Sequence, residues 1–323
     1  MSRRFYLRAL SASVCFTALV LSSCANPPDA GHPAAGSRAS GASGINKDAG
    51  QRRLRTERVA AIAAQVPRSV RDRGTLEIVT FAGLAPPLSF YATDNRTVIG
   101  MEPDLGLLVA DVLGLEPRLH TVSWENMFVG LDSGKYDVAI ANITDTEERK
   151  VKYDFASYRQ DKVAFEAMKG SNLRVRTPRD VAGLTVAVHP GTNQEKLITR
   201  WSAENEEAGR KPTDIKFYQA QSDVYLALRS GRVDLYLGSN PSVAYHVADA
   251  GQTKVVGVYS GGGSGQQGWI AATTRKDNGL ATPLAGAINA LIANGAYGKA
   301  VERWHLEDEA VRRSRINPPG LPQ

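Results

Sequence analysis

Arg149 is the residue whose chemistry is most specific. Its guanidinium is a planar fork that can hold a carboxylate bidentately, and charge-assisted bonds of this kind contribute about 1.5–3 kcal/mol each. It closes the run Asn142-Ile143-Thr144-Asp145-Thr146-Glu147-Glu148-Arg149. Glu147 and Glu148 adjoin it, so an arginine in a solvated, charge-rich helix start is the alternative. Thr144 and Asn142 offer hydroxyl, amide and backbone groups to the same anion. Thr144 with Glu147 also has the spacing of a capping box, and a helix N-terminus is itself an anion site. A second polar turn reads His189-Pro190-Gly191-Thr192-Asn193-Gln194. There Gly191 permits a tight turn, and Thr192 and Asn193 begin a helix, so their N–H groups face outward; an ordinary strand–helix connection is the alternative. The third is Gly238-Ser239-Asn240-Pro241, where Ser239 and Asn240 can serve simply as helix caps before Pro241. The five histidines show no ligand spacing, so no metal is expected. No nucleophile elbow, dinucleotide fingerprint or Walker motif is present, and no cofactor is implied. The glycine-rich run Ser260–Gly265 lacks the Gly-Lys-Ser/Thr ending of a phosphate loop.

Each of these turns follows an apolar strand. The strands expected nearby are Leu76–Thr80, Asp137–Ala141, Leu184–Val188 and Val233–Leu237. Helices lie between them. One opens at Gly100-Met101-Glu102-Pro103-Asp104-Leu105, buries Leu105, Leu108, Val109 and Val112, and exits at Gly114. The last helical region spans 281–304, ending at Trp304. Strands alternating with helices imply an α/β fold with mostly parallel sheets, in which ligands sit beyond the carboxyl ends of strands. Those ends are Asn142–Arg149, His189–Gln194 and Gly238–Pro241. No internal repeat is visible.

The chain has 323 residues, 42% of them hydrophobic and 22% charged, which is globular composition and enough for about two domains. Net charge is +6, but Arg3, Arg4 and Arg8 and the basic stretch of residues 25–74 more than account for it. Residues 75–323 are slightly acidic, so a nucleic-acid surface has no compositional support. The three N-terminal arginines precede an apolar stretch from Leu10 to Leu21, which reads as a secretory signal too short to span a membrane. It ends in Leu21-Ser22-Ser23-Cys24, the order of a bacterial lipobox, in which the cysteine is lipidated. Cys15, the only other cysteine, lies inside the signal, so no disulfide is expected. Residues 25–50 are rich in Ala, Gly, Ser and Pro and read as a tether. Residues 51–66 read as a basic helix, either solvated or near anionic lipid. Arg312-Arg313-Ser314-Arg315 with Pro318 and Pro319 reads as a solvated tail.

Taken in order, these landmarks resemble the family 3 extracellular solute-binding proteins, the polar amino-acid receptors of bacterial ABC importers. The likeness covers about residues 74–308. It rests on Gly100–Leu105 with Val109-Ala110, on Trp124, and on Leu131-Asp132-Ser133-Gly134-Lys135-Tyr136-Asp137. It continues through Asn142–Arg149, Asp154-Phe155-Ala156-Ser157-Tyr158, Asn294-Gly295-Ala296-Tyr297 and Trp304. Met101 and Pro103 depart from the family's pattern. The resemblance implies a two-lobed, type II periplasmic-binding-protein-like fold, with two mixed sheets flanked by helices and joined by two hinge strands. The crossings fall near Arg159–Val163 and Gly263–Gly268. The implied division is a lipoprotein signal at 1–24, tether and lead-in helix at 25–74, and lobe 1 at 75–162. Lobe 2 follows at 163–265, the return of lobe 1 at 266–311, and a tail at 312–323.

By the same resemblance Arg149 holds the ligand α-carboxylate, helped by Thr144 and Asn142. Trp124 forms an aromatic wall, and Thr192, Asn193 and His189 contact ligand from the second lobe. Ser239 stands where the family usually has an aspartate that pairs the α-ammonium. Either another acid substitutes, or the ligand is not a standard α-amino acid. Trp269 stands where glycine is common, and its bulk is expected to reshape the pocket. The function implied is capture of an amino acid or related small carboxylate by hinge closure, and delivery to an ABC permease and its ATPase. The protein would be exported and monomeric, anchored through Cys24 to the outer face of the cell membrane or to a periplasm-facing membrane. Rival readings are a sensor module and a cyclohexadienyl dehydratase-like enzyme, for which Asp161 and Glu166 are the candidate acids.

Overall fold

The computed structural model describes residues 44–82, 86–263 and 266–321. The signal, Cys24 and the tether as far as residue 43 lie outside the described residues. The lead-in differs from expectation. Residues 51–59 are not helical, and only α1 (Ala60–Ala63) and α2 (Arg68–Arg73) are. Val59 N donates to Val112 O, and Arg53 Nη2 reaches Asp111 Oδ1 at 2.7 Å. Leu54, Val59 and Ile62 pack on the core, and Ile45 and Val66 are buried. The apolar residues of this stretch therefore serve the body of the protein, and it is neither a solvated nor a lipid-facing helix.

The first half of the fold is built on β1 (Thr75–Thr80), with β2 (Phe90–Tyr91) and β3 (Val98–Ile99) as a small hairpin beside it. Helix α3 (Met101–Leu113) follows. Gly100 precedes it at φ 135°, where an added Cβ would lie 2.1 Å from Leu88 O, so only glycine fits. Gly114 ends α3 in the left-handed conformation, its N–H returning to Ala110 O. Strand β4 (Glu116–Thr121), helix α4 (Trp124–Asp132) and β5 (Val138–Ala139) complete this stretch. β1 pairs in parallel with both β4 and β5.

β6 (Tyr153–Met168) is the longest strand and runs through both halves. Past it lie β7 (Thr185–Val188), α5 (Asn193–Glu207), β8 (Asp214–Phe217), α6 (Gln221–Arg229), β9 (Leu235–Ser239) and α7 (Asn240–Ala250). β7 pairs in parallel with β8 and β9, and β9 runs antiparallel to residues 163–166 of β6. The chain returns through β10 (Thr253–Ser260) and β11 (Gly268–Arg275). These two strands pair antiparallel with consecutive parts of β6: Ser260 faces Lys162 and Gly268 faces Asp161. Residues 261–263 and 266–267 lie outside these two strands. The two sheet halves meet on β6, with β1, β4, β5 and β11 on one side and β7–β10 on the other, the expected arrangement of two mixed sheets joined through crossing strands. Each half has apolar clusters of its own, one set around Leu105, Leu108 and Ile288 and one around Phe165, Trp201 and Leu237.

Helices α8 (Ala281–Ala293) and α9 (Ala296–Arg303) cover the first half. They are two helices, not one region, because Gly295 at φ 80° breaks the chain between them. No helix among the described residues is long and apolar enough to cross a membrane.

The C-terminal segment is not a solvated tail. Ser157 N donates to Arg315 O, Asn317 N donates to Phe155 O, and Arg159 bridges Ala310. Residues 310–317 thus cover the edge of β6 that would otherwise present unpaired backbone groups. The segment continues to Leu321, whose N–H donates to Asp145 O. Arg315 also lies over the Trp269 ring at 5.6 Å. Trp269 therefore packs under this strap rather than reshaping the ligand pocket.

Trp304 is buried against Phe90 and donates Nε1–H to Asp104 Oδ2 at 2.8 Å. Trp304→Ala should lower unfolding free energy by about 3–5 kcal/mol, read by urea denaturation; a loss below about 1 kcal/mol would contradict this packing.

Candidate functional site

A cavity of about 270 Å³ lies at the carboxyl ends of the strands, between the two halves. Asn142, Thr144, Arg149, Trp124, His189, Thr192, Asn193 and Ser239 all line it. Phe81, Gln219, Gln221 and Tyr236 line it as well, and sequence reasoning missed them. The signal was available: Phe81 follows β1 and Gln219 follows β8, two further strand ends. Tyr236 lies within β9, on which only the terminal residues were considered.

Arg149 does not start an α-helix; it begins a single 3₁₀ turn, Arg149–Val151. The hydroxyl that caps this turn belongs to Thr146, which accepts from Arg149 N at 3.2 Å. Thr144 forms no capping box. Its hydroxyl donates to Asp161 Oδ2 at 2.8 Å, and its carbonyl accepts from Arg149 Nη1 at 2.9 Å. Arg149 Nη2 reaches across the cavity to Gly191 O at 3.2 Å. Two carbonyls thus occupy two of the five donors of the guanidinium, which also lies 5.6 Å from the rings of both Trp124 and Phe128. Burial lowers the Arg149 pKa to about 10, so the group is a cation at neutral pH.

Trp124 opens α4, and its Nε1–H donates to the same Gly191 carbonyl at 3.3 Å. Gly191 sits at φ 72° in the turn after β7. Lys196 of α5 pairs with Glu148, a third contact between the halves. Thr192 caps α5: its hydroxyl accepts from Glu195 N at 3.3 Å and donates to His189 O at 2.6 Å. The His189 Nδ1 lies 2.7 Å from Tyr218 O, which only accepts, so this nitrogen carries the proton. Its Nε2 faces the Gln221 side chain at 2.9 Å. Asn193 turns its amide away to Gly261 O at 2.7 Å. Ser239 ends β9, and its hydroxyl caps nothing at α7. The Asn240 amide reaches Glu309 Oε1 at 2.9 Å, so neither residue caps α7 through its side chain.

Behind the cavity runs a buried charge network. Arg159 of β6 pairs with Glu309 and donates through Nη2 to Asn142 Oδ1. Tyr158 OH donates to Glu102 Oε1 at 2.9 Å. Burial raises the pKa of Glu102 to about 7 and that of Asp161 to about 6. Burial also raises Asp145 to about 7, against the pull of Lys150, whose Nζ lies 3.5 Å from Asp145 Oδ1. No group of His, Cys, Asp and Glu among the described residues could hold a metal ion.

The model of the bacterial extracellular solute-binding proteins, family 3, matches residues 78–307. The chain belongs to that family. Among curated members, the Escherichia coli L-cystine-binding protein is 34% identical over 169 residues, 52% of this chain and 60% of that protein. The Corynebacterium glutamicum arginine-binding protein is 28% identical over 318 residues, 96% of each chain. Among solved structures, an ancestral arginine-binding protein bound to arginine is 28% identical, with a TM-score of 0.63 over 72% of this chain and 98% of its own. The fold is that of the type II periplasmic binding proteins, a mixed α/β architecture with a mixed sheet flanked by helices. The curated relatives are binding proteins, not enzymes. The acids considered for a dehydratase fit it poorly. Asp161 and Glu166 do not line the cavity, and Glu166 is fully buried against His246 Nδ1 at 2.5 Å.

Two predictions follow from the buried network. Folded Glu102, Asp145 and Asp161 keep their protons to about pH 6–7, whereas unfolded carboxyls release theirs near about 4. The folded state therefore binds more protons in that window, and stability should fall as pH rises from about 4 to 7. Denaturation midpoints across this range should show the fall, and Asp145→Asn should reduce it; a rise with pH would contradict the burial. Glu309→Ala strands the Arg159 charge and should cost about 3–5 kcal/mol in unfolding free energy.

Proposed function

We propose that this protein is an extracytoplasmic solute receptor that captures an amino acid or related small carboxylate between its two lobes and delivers it to an ABC importer. One observation carries the reading: in a family 3 chain, the half-buried Arg149 cation lines a cavity whose opposite wall is the start of α5. The carboxylate would bind the remaining Arg149 donors, with Thr144 and Asn142 beside it and Trp124 as the aromatic wall. Thr192, Asn193, His189 and Ser239 would meet the solute from the other lobe. The cavity is smaller than the ~300 Å³ at which sites for drug-sized ligands begin, which suits a solute of amino-acid size. Lobe 1 corresponds to residues 75–162 with the return from 266, and lobe 2 to residues 163–265. Closure is a hinge motion at the two crossings, near Arg159–Val163 and Gly263–Gly268.

In this reading the first 24 residues direct export and a lipid on Cys24 holds the receptor at the membrane. More than one acyl chain gives stable attachment. The relatives' cystine and arginine make those solutes the first to test.

Arg149→Ala should weaken binding of whichever carboxylate solute the protein takes at least tenfold, measured by calorimetric titration. The thermal unfolding transition should persist, because Arg149 donates to only two carbonyls. Unchanged affinity would remove the assignment.

A further inference from the structure

The lining of the cavity is unbalanced in charge. Arg149 supplies a guanidinium, and the only carboxylate lining the cavity among the described residues is Glu125. Glu125 is exposed in the first turn of α4, so its charge stays in water. The nearby buried acids are committed elsewhere. Asp161 accepts from Thr144, Glu166 pairs with His246, and Glu309 binds Arg159 and Asn240. None of the three lines the cavity. An ammonium carried into the interior would therefore have no countercharge, and an unpaired buried charge is strongly unfavourable.

The far wall offers neutral hydrogen-bonding groups instead. Ser239 is buried at the cavity, and its hydroxyl caps no helix. Gln221 lines the cavity too. Its Oε1 accepts from Tyr236 OH at 3.1 Å and faces His189 Nε2. A neutral polar group on a ligand can hydrogen-bond to such a wall without carrying a charge out of water.

We propose that the solute is a small carboxylate whose second polar group is uncharged: a 2-hydroxy or 2-oxo acid, or an N-acylated amino acid, rather than a zwitterion. This rests on the reading of the cavity as a carboxylate site held by Arg149, and it adds that Ser239 selects against an α-ammonium.

The test uses the full chain and matched probes in calorimetric titrations: L-leucine against L-2-hydroxyisocaproate, and L-glutamine against N-acetyl-L-glutamine, with L-arginine and L-cystine alongside. The wild-type protein should bind the amine-free member of a pair at least tenfold tighter. Ser239→Asp places a carboxylate at the cavity and should reverse that order. Ser239→Asn, similar in size but uncharged, should not. Tighter binding of the amino acid by the wild type, weakened by Arg149→Ala and indifferent to Ser239→Asp, overturns the inference and leaves the receptor reading standing. Silence toward every probe from the wild type and both Ser239 variants overturns the carboxylate site itself.

Discussion

The Arg159–Glu309 ion pair is the constraint around which the molecule is arranged. Both side chains are 2% exposed, and a buried charge without its partner costs several kcal/mol. Arg159 sits in β6 where that strand passes from one half of the sheet to the other. It also holds Asn142, which lines the cavity in a left-handed conformation at φ 52°. Glu309 in turn receives Asn240 at the start of α7, next to Ser239. One pair therefore fixes the end of β5, the crossing strand, the first turn of a helix in the other half and the C-terminal segment. That segment has to stay ordered as far as Glu309 for the charge to be met. Beyond it, the ladder to β6 continues to Asn317, where its N–H donates to Phe155 O.

The same crowding explains the glycines of the return crossing. A Cβ on Gly261 would lie 2.0 Å from Asp161 Oδ2. The Gly261 N–H instead donates to Asp161 O at 3.0 Å, and its carbonyl takes the Asn193 amide. Residues 261–263 are thus packed against the crossing strand and against the start of α5. Asp161 is covered by this loop on one side and by Thr144 on the other, which is why a carboxylate so close to the cavity is not part of its surface.

The strand–helix alternation was legible because apolar runs and polar turns alternate at regular spacing. The three turns that carry Arg149, His189 and Ser239 were legible because sheets of this kind bind ligands at strand ends. What escaped was whatever depends on tertiary pairing. The basic stretch at 51–66 has helical periodicity, yet Arg53 is drawn to Asp111 and the backbone of Val59 to Val112, and residues 51–59 are not helical. The arginines and prolines of residues 312–319 have the composition of a solvated tail, but the open edge of β6 recruits their backbone, which composition does not encode. Thr144 has the spacing of a cap, and the buried Asp161 competes successfully for its hydroxyl. Gln221 gave no signal at all, because only the packing of α6 beside β9 brings it to the cavity wall beside Tyr236 and His189.

Arg149 occupies a double position. Its Nη2 bonds the Gly191 carbonyl of the opposite half, the carbonyl that Trp124 also reaches. With the Lys196–Glu148 pair, these are weak links. The neutral Trp124 bond contributes about 0.5–1.5 kcal/mol net, the charge-assisted Arg149 bond at most about 1.5–3, and an exposed ion pair about 0–1. A few such contacts hold the halves together by an amount comparable to what one well-bound carboxylate adds. A ligand shifts a conformational equilibrium only by the difference between its contacts in the two states. In the receptor reading, a solute touching Arg149 alone would bind the open and closed forms nearly equally and close nothing. Closure requires the solute's second polar group to reach the far wall, where Gln221 and Ser239 stand. The discrimination between an ammonium and a neutral group is then made at the step that closes the cleft. A zwitterion can dock on Arg149 in the open form and still fail to bring the lobes together, because closure is what would take its ammonium out of water.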